Sequence, residues 1–328
     1  MIITRTPFRV SFFGGGSDMP WFYEHHPSLV VGAAINKYCF ISLRKLPKYF
    51  KYKSRISYSK IEEVCENEEI EHKAIRESLR LYGIEDGVEI SHSSDVPART
   101  GIGSSSSFAV GLINAIRTIN YKAVTKQSLA SEAIYLEQKV LCENVGCQDQ
   151  IFASYGGLNI IRFSNKFNSG YSVTPLFLEE NFEKKLFDSI ILIFSETDRI
   201  SSSVSGKYLT PISNKENELL SIVQMAEESI SLFQSQNIEK IGKLLHKSWE
   251  IKRNMHEAVS NNKINNIYND CMSLGAYGGK LLGAGGGGFL MIMANKIAMS
   301  KIKETFKYSV QIPIEVDYEG SKLLYHNR

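Results

Sequence analysis

The 328-residue sequence has no long apolar run. A run such as IILIF at 190–194 is far too short to cross a bilayer, and the opening MIITRTPFRV lacks an apolar core of signal-peptide length. A cytoplasmic protein that does not engage a membrane is the expectation. Cysteine is sparse as well: Cys39, Cys65, Cys142, Cys147 and Cys271 are odd in number and show no paired CxxC spacing, which argues against zinc or dithiol redox chemistry and for reduced thiols. Charge of one sign is also missing. The 38 Lys and Arg against 35 Asp and Glu leave a net charge of +3 with no block of like charges, which argues against a nucleic-acid tail or a polybasic anchor. Small anions are the more natural partners. The seven histidines have no metal-ligand spacing, His25 and His26 being adjacent, and there is no GxxxxGK[ST] nucleotide motif.

An ordinary balance is present instead, 43% hydrophobic and 22% charged residues, over a length that suits two domains. LVVGAAI and YCFISL read as two neighbouring strands around the polar pair Asn36 and Lys37. Residues 62–81 carry Ile70, Ala74, Ile75 and Leu79 at roughly helical spacing with Gly83 as a stop, and GVEISHS alternates like a strand. SIILIF reads as a buried strand. Helices follow, one with Leu219, Ile222, Val223, Ala226, Ile230 and Phe233 on a face, another with Ile238, Ile241, Leu244, Leu245 and Trp249. The chain closes with a helix around 297–306 and VQIPIEV as an alternating strand. The domain boundary is placed in the irregular NKFNSGYSVTP stretch, giving units at 1–175 and 176–328 with an α+β character.

Three glycine-rich segments stand far apart: FFGGGSD, GIGSSSS and GAGGGG. In the second, Phe108, Leu112, Ile116 and Ile119 recur every three or four residues, so a helix begins near Ser105 with glycines and serines at its N-terminus. Unpaired backbone N–H groups and the positive end of the dipole at such a terminus suit a phosphate. A dinucleotide fingerprint does not fit, because neither glycine string opens an early strand-helix-strand unit with an acidic residue about twenty positions on.

PARTGIGSSSSFAVGL matches the PxxxGLGSS phosphate loop of the GHMP kinases, the superfamily of galactokinases, homoserine kinases and mevalonate kinases. KLLGAGGGGFL resembles their C-terminal glycine motif and TPFRVSFFGGGSD their N-terminal substrate motif, in the same order and spacing. GGGSDMPWFYE, AAINKY, EISHSSDVP, ENVGCQDQIFASYGGLN and GAYGGKLLGAGGGGF resemble the bacterial heptose 7-phosphate kinases of surface-polysaccharide pathways. The resemblance implies a two-domain α+β GHMP kinase fold, with an N-terminal domain of a ribosomal-protein type, a ferredoxin-like C-terminal domain, and the active site in the cleft between them. The activity it implies is transfer of a phosphoryl group from ATP, with Mg2+, to a small-molecule sugar phosphate. A kinase of an unphosphorylated sugar such as galactose or fucose, and a silent sugar- and ATP-binding sensor of the same fold, are the alternatives.

By that resemblance the backbone of Gly101, Ile102, Gly103, Ser104, Ser105, Ser106 and Ser107 wraps the ATP phosphates. Ser105 and Glu137 hold the Mg2+, and Asp149 faces the substrate hydroxyl as base or orienter. Arg9 stands beside that hydroxyl, and Asp18, in the segment of Gly15, Gly16 and Ser17, takes sugar hydroxyls. Gly15 departs from the galactokinases, which carry glutamate there. Arg199, Ser201 and Ser202 hold the sugar phosphate, and Gly285 and Gly286 of the last glycine motif border the substrate. Lys37 and Lys280 are further cations, each equally readable as structural or surface, and Arg99 stands where many relatives have glycine.

Overall fold

The first strand, β1 (Ile2–Phe13), is buried almost throughout although Thr4, Arg5, Thr6, Arg9 and Ser11 interrupt its apolar residues, and the short helix α1 (Pro20–Tyr23) leads from it into β2 (Ser28–Lys45). The computed structural model describes residues 1–98, 100–195 and 215–327. After β2 come β3 (Ser54–Ser57), β4 (Ile61–Val64), α2 (Lys73–Leu81) and β5 (Val88–Ser94). Next are α3 (Ser104–Ile119), α4 (Lys126–Tyr135) running into a π-helical segment at Leu136–Val140, α5 (Gln148–Tyr155), β6 (Leu158–Phe163) and β7 (Tyr171–Pro175).

These strands form one sheet in the order β1-β2-β5-β3-β4, with β6 branching from β2 and β7 pairing with β6. The two strands expected around Asn36 and Lys37 are one 18-residue strand. Its register against β1 shifts between Pro7 and Phe8, opposite that polar pair. A bulge of this kind bends a strand without ending it, and each half of β2 then takes its own further partner, Ser28–Ala33 pairing with β6 and Cys39–Lys45 with β5. The helix expected over 62–81 is confined to α2; its first part is β4 and a single turn at Asn67–Glu69. Glu62, the first residue of that expected helix, lies in β4 and is buried, accepting from the Tyr58 hydroxyl and the Glu71 backbone N–H.

Helix α3 lies across β1 and β2. Leu112 and Ile116 are fully buried there, each worth about 2 kcal/mol. Ser107 Oγ donates to the Pro7 carbonyl (2.8 Å) and Thr4 Oγ1 to the Gly111 carbonyl (3.0 Å), which fixes the helix along the strand.

The second half comprises α6 (Glu180–Asp188), β8 (Ile190–Phe194), α7 (Glu216–Gln234), α8 (Ile238–Asn254), α9 (Asn262–Ser273), β9 (Ala276–Leu281), β10 (Phe289–Ala294), α10 (Lys296–Thr305), β11 (Gln311–Ile312) and β12 (Lys322–His326). A second, antiparallel sheet has the order β11-β8-β10-β9. VQIPIEV contributes only two residues to it, because Pro313 has no N–H to donate to a ladder. Beyond that proline the chain turns back: Val316 bridges Ile35, and β12 pairs with β1 at the edge of the first sheet. The last strand of the chain therefore completes the first sheet, not the second. No described helix is long and apolar enough to cross a membrane.

Candidate active site

Two glycine loops meet where the sheets adjoin. Gly101 has φ +85° and Gly103, at the N-cap of α3, has φ +81°, conformations that glycine adopts without steric cost. A Cβ on Gly101 would also collide with the Leu282 carbonyl, at the entry to the last glycine loop, and the Phe289 N–H donates to the Thr100 carbonyl (3.0 Å) at that loop's exit. The result is a 16-residue helix whose N-terminal N–H groups open onto a loop of small residues, a geometry that suits phosphate oxygens. Ser104 is half-buried and Ser105 exposed, whereas Ser106 and Ser107 are buried. Since the Ser107 hydroxyl is bonded to Pro7, it braces the helix and does not face the loop. Its backbone N–H donates to the Gly103 carbonyl (2.9 Å), as in the first turn of the helix.

Arg9, on β1, is 4% exposed and its guanidinium is held on three sides. Nε donates to Asp149 Oδ1 (2.7 Å), Nη2 to Asp149 Oδ2 (2.6 Å) and Nη1 to the Gly101 carbonyl (2.6 Å). This two-pronged pair fixes the plane of the carboxylate, and the third bond ties the guanidinium to the Gly101 loop. Asp149 stands in the first turn of α5 and remains partly exposed, so its carboxylate is accessible to a reacting group.

Asp18 lies beside this pair, in the loop after β1. It is 2% exposed; Oδ1 accepts from the Gly16 N–H (3.0 Å) and Gln148 Nε2 (2.9 Å), and Oδ2 from the Gln148 N–H (3.1 Å). Burial, reinforced by the charge of Asp149, pushes its carboxyl above the ordinary range. Gly16 and Gln148 thus orient Asp18. Ser17, expected to touch substrate, is fully buried with its hydroxyl donating to the Gly14 carbonyl (2.8 Å) and accepting from Ser28 (2.8 Å); it shapes the loop from behind.

Glu137 enters from the π-helical segment that follows α4, a widening of the helix that often marks functional positions. It is 1% exposed. Gln150 Nε2 donates to its Oε2 (2.5 Å), while Oε1 makes no well-formed hydrogen bond among the described residues. Burial pushes the carboxyl up to about 7, opposed by the Ser106 hydroxyl and the Gln150 amide and reinforced by Glu143 and Asp149. The hydroxyl acting on Glu137 is that of Ser106, one residue further into α3 than Ser105, which is exposed. A buried acidic oxygen without a well-formed partner fits a cation. Among the described residues no three His, Cys, Asp or Glu gather as a protein-only metal site; Mg2+, which takes most of its ligands from phosphate and water, needs no more than this carboxylate and a hydroxyl.

Gly285 and Gly286 pack against Val259, whose carbonyl accepts the Gly286 N–H (3.1 Å), so they brace the last glycine loop. Lys37 is not brought to the site: its ammonium bonds the Asn36 carbonyl (3.1 Å) at the bulge of β2. Lys280, readable from sequence as surface, is 4% exposed and donates to the Phe12 carbonyl (3.3 Å) behind the substrate loop. Arg99, Arg199, Ser201 and Ser202 lie outside the described residues. Sequence reasoning missed Gln148 and Gln150, although they flank Asp149 in GCQDQ; their type carries no chemical signature until the fold aims one at Asp18 and the other at Glu137.

Residues 70–157 match the GHMP kinases N terminal domain, and residues 229–310 match the GHMP kinases C terminal domain. The chain belongs to the GHMP kinase family. Like other GHMP kinases it is a phosphotransferase that uses ATP, and its α+β fold is the family's two-domain fold. It is 26% identical over 318 residues to a D-glycero-alpha-D-manno-heptose 7-phosphate kinase of Campylobacter jejuni, covering 90% of this chain and 89% of the relative. A galactokinase of Thermotoga maritima is 25% identical, covering 95% of each. Among solved structures, a D-glycero-D-manno-heptose 1-phosphate kinase from Bacteroides thetaiotaomicron superposes with a TM-score of 0.79 at 20% identity over the whole of both chains, a likeness of fold. Gly101–Ser106, the stretch that resembles the family's phosphate loop in sequence, lies against the Arg9–Asp149 pair.

Proposed function

We propose that this GHMP kinase transfers the γ-phosphoryl group of MgATP to the anomeric hydroxyl of D-glycero-D-manno-heptose 7-phosphate, giving the 1,7-bisphosphate for nucleotide-activated heptose in surface polysaccharide. The observation that carries the catalytic part is the Arg9–Asp149 pair, tied to the Gly101 carbonyl and adjoining the buried Asp18. Asp18 accepts sugar hydroxyls on its remaining lone pairs, and Asp149 orients the reacting hydroxyl and receives its proton. Arg9 keeps two N–H bonds beyond those to Asp149 and Gly101, enough to steady charge on the group in transit. Phosphoryl transfer passes through a loose transition state, so this fixed positioning matters more than a strong base. Glu137 and the serines at the start of α3 would hold Mg2+, which neutralises charge on the nucleotide phosphates when bound.

Support for the heptose phosphate comes from the similar Campylobacter enzyme and from Gly15, which leaves the site without the glutamate of galactokinases. The Thermotoga relative favours a second reading, a kinase of an unphosphorylated sugar. ADP release measured with MgATP against the heptose 7-phosphate, the unphosphorylated heptose, galactose, fucose and mevalonate separates them. Turnover confined to the heptose 7-phosphate is the expected result. Preference for a free sugar would sink the substrate assignment, and absence of turnover with every acceptor would favour a silent binder.

A further inference from the structure

Two glutamines flank Asp149 in the first turn of α5, and each is turned to a different carboxylate. Gln148 grips Asp18 twice, its backbone N–H donating to Oδ2 (3.1 Å) and its Nε2 to Oδ1 (2.9 Å). The residues just ahead close the same grip. The Cys147 N–H donates to the Asp18 carbonyl (3.2 Å), and a Cβ on Gly146 would stand 1.9 Å from Asp18 Oδ2, so the carboxylate lies directly on a backbone that only glycine leaves open. Gln150 Nε2 donates instead to Glu137 Oε2 (2.5 Å), in the π-helical segment. Successive residues of a helix point about 100° apart, so positions 148 and 150 diverge by roughly 200° with Asp149 between them. One turn of one helix therefore holds the Arg9–Asp149 pair, Asp18 and Glu137 in fixed mutual positions.

Stability is a poor reason for either amide. Gln148 is 8% exposed and Gln150 fully buried, yet each commits only its N–H side. An ionised carboxylate can only accept, so the amide nitrogen must face it, and the Oε1 of both glutamines is left without a hydrogen bond among the described residues. A buried carbonyl oxygen with no donor opposes folding, as does the burial of each carboxylate that the amides address. A methionine of similar length would pack in either place without that penalty. What the amides provide is orientation: with Oε2 of Glu137 committed to Gln150, Oε1 is the oxygen left for a cation, and the double bond from Gln148 sets the plane of Asp18.

We propose that Gln148 and Gln150 are positioning residues with separate duties, Gln148 holding Asp18 for the acceptor sugar and Gln150 holding Glu137 for the metal, so that acceptor affinity and metal affinity are set independently from the two flanks of Asp149. This rests on the reading of Asp18 and Glu137 as the acceptor and Mg2+ carboxylates.

Equilibrium binding by calorimetry tests the separation without requiring turnover, with D-glycero-D-manno-heptose 7-phosphate and galactose as acceptor probes and ADP, with and without Mg2+, as the metal probe. Gln148→Met should weaken the sugar at least about tenfold, the loss of a hydrogen bond to a charged group, and leave unchanged the gain in ADP affinity on adding Mg2+. Gln150→Met should cut that gain about tenfold or more, as removing the partner behind a metal ligand does, while metal-free ADP and the sugar bind as in wild type. Gln→Asn at either position withdraws the amide by one methylene and covers a methionine variant that does not fold. Loss of packing alone would move both affinities together; such a joint change in either variant overturns the proposal, as does wild-type binding of sugar by the Gln148 variants or a full Mg2+ gain in the Gln150 variants. Failure of the underlying reading shows in the wild type itself, as binding of neither sugar or an ADP affinity that Mg2+ does not raise, and the proposal then falls with it.

Discussion

Substituting Glu137 by glutamine separates the cost of a buried carboxylate from its use. The group's ordinary value of 4.5 is pushed up to about 7 by burial, a difference of about 2.5 units or roughly 3 kcal/mol. With the folded-state value above the unfolded one, ionisation opposes folding. The free protein carries no such cost below about pH 4.5, loses stability as pH rises from there to about 7, and bears the whole cost above that. Glu137→Gln keeps the shape and leaves Gln150 an amide oxygen to donate to, but abolishes the titration. Urea unfolding of the free proteins at pH 5 and pH 8 should therefore show the variant nearly equal to wild type at the lower pH and more stable by up to about 3 kcal/mol at the higher. In the same variant turnover with MgATP should fall at least about a hundredfold, because an amide cannot supply the anionic ligand. A stability difference that does not grow between pH 5 and pH 8 would refute the burial argument. Undiminished turnover would remove Glu137 from the metal site.

Three further outcomes follow from the site geometry. Asp149→Asn, which breaks the two-pronged pair with Arg9, should lower turnover by about a hundredfold or more while nucleotide binding measured by calorimetry is largely kept; an unchanged rate would remove Asp149 from the mechanism. Gly101→Ala forces a Cβ into the Leu282 carbonyl at φ +85° and should destabilise the fold by about 2 kcal/mol or more and weaken ATP binding, read by chemical denaturation and nucleotide titration; a wild-type midpoint would show that the loop yields freely. Addition of MgATP and sugar should slow backbone hydrogen exchange at 101–107, and no slowing there would count against this loop as the phosphate site.

The parts of this account legible in the sequence are those with a local signature. The helix that opens within GIGSSSS begins at Ser104 because apolar spacing and a glycine N-terminus both dictate it, and Arg9 and Asp18 stand in TPFRVSFFGGGSD, a stretch whose likeness to the family is legible in the sequence. What escaped were consequences of pairing across the chain. Nothing local says that Asn36 and Lys37 bulge inside one strand instead of ending it, since that depends on the register of β1. Nothing local sends 322–326 back to the first sheet, or turns the hydroxyls of Ser17 and Ser107 inward to Gly14 and Pro7. Lys280 is the clearest instance: on sequence it reads equally as surface, and only the packing of β9 against the substrate loop buries its ammonium beside Gly15.

On the proposed reading the site moves a phosphoryl group from ATP to the anomeric oxygen of a sugar that already carries a phosphate. Phosphorus NMR of the product formed from MgATP and D-glycero-D-manno-heptose 7-phosphate tests it most directly. Two phosphorus signals on one sugar are expected, the new one coupled to the anomeric proton. A new phosphate coupled to any other carbon-bound proton, or ADP accompanied only by inorganic phosphate, would contradict it.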